Sequence, residues 1–187
     1  NSLQLVSALV GMQARQVSDS AARVALADTE RRVVAIAKVH KRLYTYDSVE
    51  TVEMAEYLGA LVAELGETWS TPSGPRDVTL SADRLHLGTD RAVALGVIVN
   101  ELVTNACKYA YAPDTRGEVR VHLRADCEQM YRLVVEDDGR GPPKSGVSKG
   151  TGLGSKIIVA MARTLMGKVS IEEAQPGLRV ILRGPRS

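Results

Sequence analysis

The sequence has no phenylalanine, and aromatic residues make up only 4% of its 187 residues. Stacking platforms for nucleic-acid bases need aromatic faces, so that class of partner is disfavoured. A strong charge of one sign is also missing: 24 basic against 22 acidic residues leave a net charge of +2, which gives no electrostatic footprint for DNA or RNA. No apolar run approaches the 18 residues of a membrane span. Only two cysteines occur, Cys107 and Cys127, at a spacing that fits neither a metal site nor a redox pair. Two such thiols suit a reducing cytosol, and a cytoplasmic location is expected. No signal peptide is visible, and the chain opens within a helical pattern, so a preceding segment is expected.

What is present is 44% hydrophobic residue content, enough for one sizeable domain with a helical appendage. Leu3, Val6 and Val10, with Leu5, Leu9 and Met12, recur at helical spacing. Ser18, Asp19 or Ser20 can cap a second helix over about Ala21 to Tyr44, whose stripe holds Val33, Ile36, His40 and Leu43. This pattern predicts an antiparallel helical hairpin over 1–46. Two helices enclose no core by themselves, so the hairpin is expected to pair with something else, such as its own copy.

Over 47–187 the pattern becomes α+β. "VEMAEYLGALVAELGETW" predicts a helix, "TPSGPRD" a connector, "VTLSAD" a strand, and Thr89 to about Tyr109 a long helix. "EVRVHLRA" and "YRLVVED" alternate as a hairpin around "DCEQ". "GLGSKIIVAMARTLMG" predicts a helix opened by glycines and closed by Gly167, followed by strands "KVSIEE" and "LRVILRG".

Three patterns carry chemistry. In "NELVTNACKYAY", Glu101, Asn105 and Lys108 follow at i, i+4 and i+7, which on an α-helix puts an acid, an amide and an amine within roughly 60° of one face. Such a face is either solvated or satisfied by a polar ligand. In "EDDGRG", Asp137, Gly139 and Gly141 form D-x-G-x-G at a strand end. A carboxylate only accepts hydrogen bonds, so it can take an exocyclic amino donor, and glycines let backbone approach a flat ligand. In "KGTGLGSK", glycines 150, 152 and 154 run into a helix, where exposed N–H groups favour phosphate. The dinucleotide fingerprint G-x-G-x-x-G fails at Ser155 and Lys144, and the P-loop fails because Ser155 separates Gly154 from Lys156.

The order and spacing of these patterns resemble the N, G1 and G2 boxes of the GHKL ATPases, which bind ATP in a Bergerat α/β sandwich. "NSLQLVSALVGMQARQ" and "RRVVAIAKVHKRLY" are similar to the dimerization domain of the HisKA_2 sensor histidine kinases. The strand "LVVEDDGRG" has no Trp-x-Glu, which favours HisKA_2 over the related HWE class. The resemblance implies ATP and Mg2+ as cofactors. It makes Asn105 the magnesium-binding amide, Glu101 a catalytic carboxylate that orients a water or the incoming nucleophile, and Lys108 a catalytic and phosphate-binding cation. It sets Tyr109 against the adenine, and makes Asp137, with Gly139 and Gly141, the reader of its amino group. Gly150, Thr151, Gly152, Leu153 and Gly154 fall near the phosphates. Pro142 to Lys149 is implied to be a mobile lid.

A two-component kinase is implied, with a response-regulator receiver domain as partner, a sensory domain upstream and a homodimer through the hairpin. A histidine phosphotransferase relay, or another GHKL ATPase or serine kinase, is the alternative. In the family the phosphorylated histidine lies just before the segment that begins this chain. His40 is expected to pack in a helix stripe, His122 to be solvated beside Arg120 and Arg124, and His86 to sit at a strand-to-helix junction with no acid beside it in sequence.

Overall fold

The computed structural model describes residues 10–15, 17–20, 22–23, 25–27, 29–30, 33–34, 37, 51–127, 129–141 and 153–186. The chain divides into two compact units, 1–48 and 49–187.

In the first unit, residues 10–15 are helical, and so is every described residue from Ser20 to Ala37. Among the three capping candidates, Asp19 is the one used: its Oδ1 accepts the Ala22 N–H at 2.7 Å. Glu30 lies close against Gly11, where a Cβ would come within 2.3 Å of its Oε1. His40 lies outside the described residues.

The second unit begins with strand β1 (Thr51–Glu53), which pairs antiparallel with β3 (His86–Gly88). Sequence periodicity started the first helix at Val52, but Val52 and Glu53 are extended, and helix α1 spans Met54–Trp69. Glu53 cannot both continue the helix and cap it. Its carboxylate accepts from Ala55 N at 3.1 Å and Glu56 N at 2.8 Å, filling two of the orphan donors of the first turn. Met54, Tyr57, Leu58, Leu61, Val62 and Leu65 then bury one stripe.

Strand β2 (Arg76–Ala82) takes in Arg76 and Asp77, which their connector-like composition had assigned to a loop. Helix α2 (Thr89–Asn105) follows β3 directly. It is buried nearly all round from Ala92 to Val103, the signature of a central helix. It packs between α1 and α3 (Leu153–Thr164). The remaining strands are β4 (Gly117–Ala125), β5 (Met130–Asp137), β6 (Lys168–Glu173) and β7 (Leu178–Pro185). The five-stranded sheet runs β2-β4-β5-β7-β6, with β2 and β4 parallel and every other pair antiparallel.

Strand alternation sorts the two faces. Val119, Val121 and Leu123 of β4 and Tyr131, Leu133 and Val135 of β5 are buried. Each such aliphatic or aromatic side chain contributes about 1.5–3 kcal/mol by leaving water. The intervening residues Arg120, His122, Arg124 and Glu136 place polar and charged groups on the opposite face. There Glu136 receives Arg120 Nε at 2.9 Å and Arg179 Nε at 2.7 Å, with His122 Nε2 3.7 Å away. His122 is therefore half-buried against an acid rather than freely solvated.

Helix α3 ends through Met166, whose φ of +49° is left-handed, and Gly167 N donates to Ala162 O at 2.8 Å. Gly167 itself is needed for space, because a Cβ there would sit 2.8 Å from Leu182 Cδ1.

Candidate nucleotide site

Helix α2 changes winding where its polar residues end. Ala106–Ala110 form a π-helical turn, with i→i+5 pairing in place of the α-helix that periodicity predicts through Tyr109. Lys108 lies within this wider turn. Its Nζ lies 5.2 Å from the centre of the Trp69 ring, over the end of α1. Glu101 is 2% exposed, so the fully solvated reading of this face fails at its first member. Asn105 and Lys108 are half-buried and Tyr109 is exposed.

Strand β5 delivers Asp137 to the end of this helix. Asp137 is 6% exposed, and its Oδ1 accepts the Gly139 N–H at 2.9 Å. Burial pushes its carboxyl above the ordinary aspartate range, against the opposing pull of backbone donors at Gly139 and Leu178. The next residue, Asp138, is exposed and turned to the other side, where Arg120 grips both its oxygens at 2.7 and 2.6 Å. That ion pair and hydrogen bond hold the Asp138 carboxyl below its usual range.

The glycines of the motif have separate reasons. A Cβ at Gly139 would meet Ala110 Cβ and O at 2.4 Å, so this loop lies directly on the π turn. Arg140 N extends the contact by donating to Ala110 O at 3.0 Å. Gly141 has a φ of +69° and lies opposite Gly177, whose φ is +100° and whose added Cβ would strike Asp137 O. The turn between β6 and β7 thus closes on the back of the same loop.

Two residues of this site carried no chemical signal in the sequence. Cys107, on the buried side of the π turn, has its thiol pushed up to about 11 by burial, with Arg76 lowering it and Asp137 raising it. Arg76, 7% exposed, reaches the same turn: its Nε donates to Cys107 O at 3.4 Å and its Nη2 to Ala112 O at 3.1 Å. Nothing in their spacing distinguishes them from an ordinary core cysteine and a loop arginine.

Leu153 and Gly154 begin α3, with Gly154 buried. Gly150, Thr151, Gly152 and the Pro142 to Lys149 segment lie outside the described residues. Among the described residues, no group of three or more His, Cys, Asp or Glu side chains could hold a metal ion.

Residues 90–187, which contain all of these patterns, match the histidine kinase-, DNA gyrase B- and HSP90-like ATPases. The chain belongs to this ATPase family. Residues 1–69 match the HisKA_2 histidine kinases, in agreement with the reading of the hairpin sequence and the missing Trp-x-Glu. The sensor histidine kinase PdtaS of Mycobacterium tuberculosis is 33% identical over 99% of this chain and 37% of its own length. Blue-light-activated histidine kinase 2 of Erythrobacter litoralis is 23% identical over the whole chain and 54% of its own length. The chain therefore spans between about a third and about half of these relatives. The histidine kinase domain of an Erythrobacter litoralis blue-light activated kinase shares the fold. It has a TM-score of 0.70 and 20% identity, over 100% of this chain and 86% of that one. No helix among the described residues is long and apolar enough to cross a membrane.

Proposed function

We propose that this chain is the catalytic core of a two-component sensor histidine kinase. It binds Mg-ATP at the C-terminal end of α2 and passes the γ-phosphoryl group to a histidine of the same protein, and from there to an aspartate of a response-regulator receiver domain. The observation that carries the reading is Asp137: a buried carboxylate at a strand end, beside a polar helix terminus, backed by glycines that leave no room for side chains.

The residues suit the ligand. Asp137 has two oxygens with about four acceptor positions, and the donors at Gly139 and Leu178 occupy only part of that capacity. An adenine amino group supplies the missing donor. Asn105 offers one amide oxygen to a magnesium ion that otherwise takes oxygen from phosphates and water. When bound, magnesium neutralises charge on the phosphates being transferred. Glu101, held in a dry position on α2, orients a water or the incoming nucleophile. Lys108 meets phosphate as a point charge. Tyr109 lies against the base, and Gly150 to Gly154 approach the phosphates with their N–H groups.

The first unit is proposed to be a helical hairpin that pairs with its copy, supported by the Asp19 cap and the approach of Glu30 to Gly11. A sensory domain in the full-length protein supplies the input. None of this chain's histidines is the acceptor: His86 lies in β3 opposite Glu53, whose carboxylate is spent on capping α1, and His122 faces Glu136 on the sheet. His40 is assigned a packing role from its stripe.

Calorimetry with Mg-ATP tests binding directly, and micromolar to millimolar affinity is expected. Labelled ATP should leave no acid-labile phosphate on the chain alone. Label that appears on the chain and vanishes in His40→Gln would identify His40 as the acceptor and overturn that part of the reading.

A further inference from the structure

We infer that Arg76 is a positioning residue for the adenine end of the nucleotide site, acting through the π turn; the inference rests on the nucleotide-binding reading above. Arg76 begins β2 and is remote in sequence from all three nucleotide patterns. Its guanidinium is nevertheless buried, and it donates to five backbone carbonyls. Nε reaches Cys107 O at 3.4 Å. Nη1 reaches Gly74 O and Pro75 O at 3.2 Å each and Thr115 O at 2.5 Å. Nη2 reaches Ala112 O at 3.1 Å. The guanidinium carbon also lies 5.3 Å from the centre of the Tyr111 ring.

These partners are not scattered. The last carbonyls of a helix have no intrahelical donors, and a π turn leaves them in an unusual place. Arg76 supplies such a donor at Cys107 and another at Ala112, in the loop that leaves the turn, and its positive charge sits at the negative end of the α2 dipole. What it holds is the platform of the adenine site. Ala110, between those two carbonyls, is the residue on which Gly139 rests, and Ala110 O receives Arg140 N. Tyr111, under the guanidinium, receives the Asp138 N–H on its hydroxyl at 2.9 Å and donates to Glu118 O at 2.5 Å. Asp137 therefore sits on a loop pinned at Gly139, Arg140 and Asp138 to the segment that Arg76 ties down. Lysine keeps the charge but has a single nitrogen and no planar fork, so it cannot serve carbonyls on three separate segments at once.

The test uses Arg76→Lys and Arg76→Gln beside the parent chain, each held well below its own melting temperature. Mg-ATP affinity is measured by calorimetry and amide exchange by mass spectrometry. The expected result is about a tenfold or greater loss of affinity in both variants, the equivalent of losing one charged hydrogen-bond set at the site. Faster exchange should be confined to 106–112 and 138–141, while β4 and β5 stay protected. A role in general stability alone would loosen the sheet as well, or leave affinity intact in the folded variant, and either result overturns the inference. If neither variant folds, the parent chain still decides. The Arg76 Nε–H resonance should shift when Mg-ATP is added, and a resonance that stays fixed at saturation overturns the proposal. A parent chain that binds no Mg-ATP refutes the functional reading instead, which keeps the two failures apart.

Discussion

Asp137 and Asp138 are adjacent in sequence and face opposite sides of the sheet. Asp137 is buried at the end of α2, hydrogen-bonded to Gly139 N at 2.9 Å, whereas Asp138 is exposed and locked by Arg120 at 2.6 and 2.7 Å. Asp137 is the last residue of β5 and Asp138 the first beyond it, and the change of side separates the proposed ligand contact from sheet stabilisation.

Asp137→Asn is expected to weaken Mg-ATP binding by at least tenfold, because half of an acceptor-only group becomes a donor facing an amino group. Asp138→Asn should change affinity less than threefold on the same scale. Calorimetry on the two variants compares them, and equal losses would refute the assignment of Asp137 to the base.

Acidification should weaken nucleotide binding before it unfolds the chain. Burial raises the Asp137 carboxyl above its ordinary value of 3.8. Protonation therefore begins at higher pH than for a free aspartate, and the protonated group is a poorer acceptor. Affinity is expected to fall as pH descends through that raised value, and Asp137→Asn should flatten this part of the profile. A profile that is identical in the variant would assign the titration elsewhere.

Glu136 has the opposite sign. Burial raises its carboxyl, but hydrogen bonds from Arg120 and Arg179 outweigh it and hold the carboxyl below 4.5. A lowered acid stabilises the fold above its unfolded value, and that contribution is lost as pH falls through the folded one. Glu136→Gln should cost about 1–2 kcal/mol at pH 7, measured by urea denaturation. Once pH has fallen through the lowered folded value, the difference from the parent should shrink; a difference that persists at all acid pH values would exclude this ion-pair network as its source.

Gly139→Ala tests the contact between the loop and the π turn. A methyl would lie 2.4 Å from Ala110 Cβ and O, too close for both backbones to stay in place. Overpacking of this kind costs about 1–3 kcal/mol. A lower melting temperature together with lost Mg-ATP binding is the expected outcome. Retention of both would mean that the loop is held less firmly than its contacts indicate.

The two thiols should behave differently toward alkylation. Cys107 is buried with its thiol pushed up to about 11, and Cys127 is exposed. At pH 8 only about one part in a thousand of Cys107 is thiolate, the reactive form. Mass spectrometry after brief iodoacetamide treatment should find the label on Cys127. Early labelling of Cys107 would show that the π turn opens readily.

Local patterns in the sequence carried the order of elements, the hairpin of β4 and β5 and the D-x-G-x-G turn, because they depend on spacings of two or four residues and on glycine. The same patterns pointed to Asp137 and Asn105, since an acceptor at a strand end and an amide on a helix face are readable from position alone. Three features needed the tertiary structure. Glu53 ends a strand instead of opening a helix because β3 pairs with it and its carboxylate caps the next turn. The winding of α2 relaxes at Ala106–Ala110, where the Cys107 carbonyl meets Arg76 Nε about 30 residues earlier, a distance over which periodicity carries no information. Lys108 places its amine over the Trp69 ring, a partner on another helix that residue counting does not predict. Side-chain direction on a helix follows from residue count only while the winding is constant, and here the winding changes at the site, where the packing partners come from distant parts of the chain.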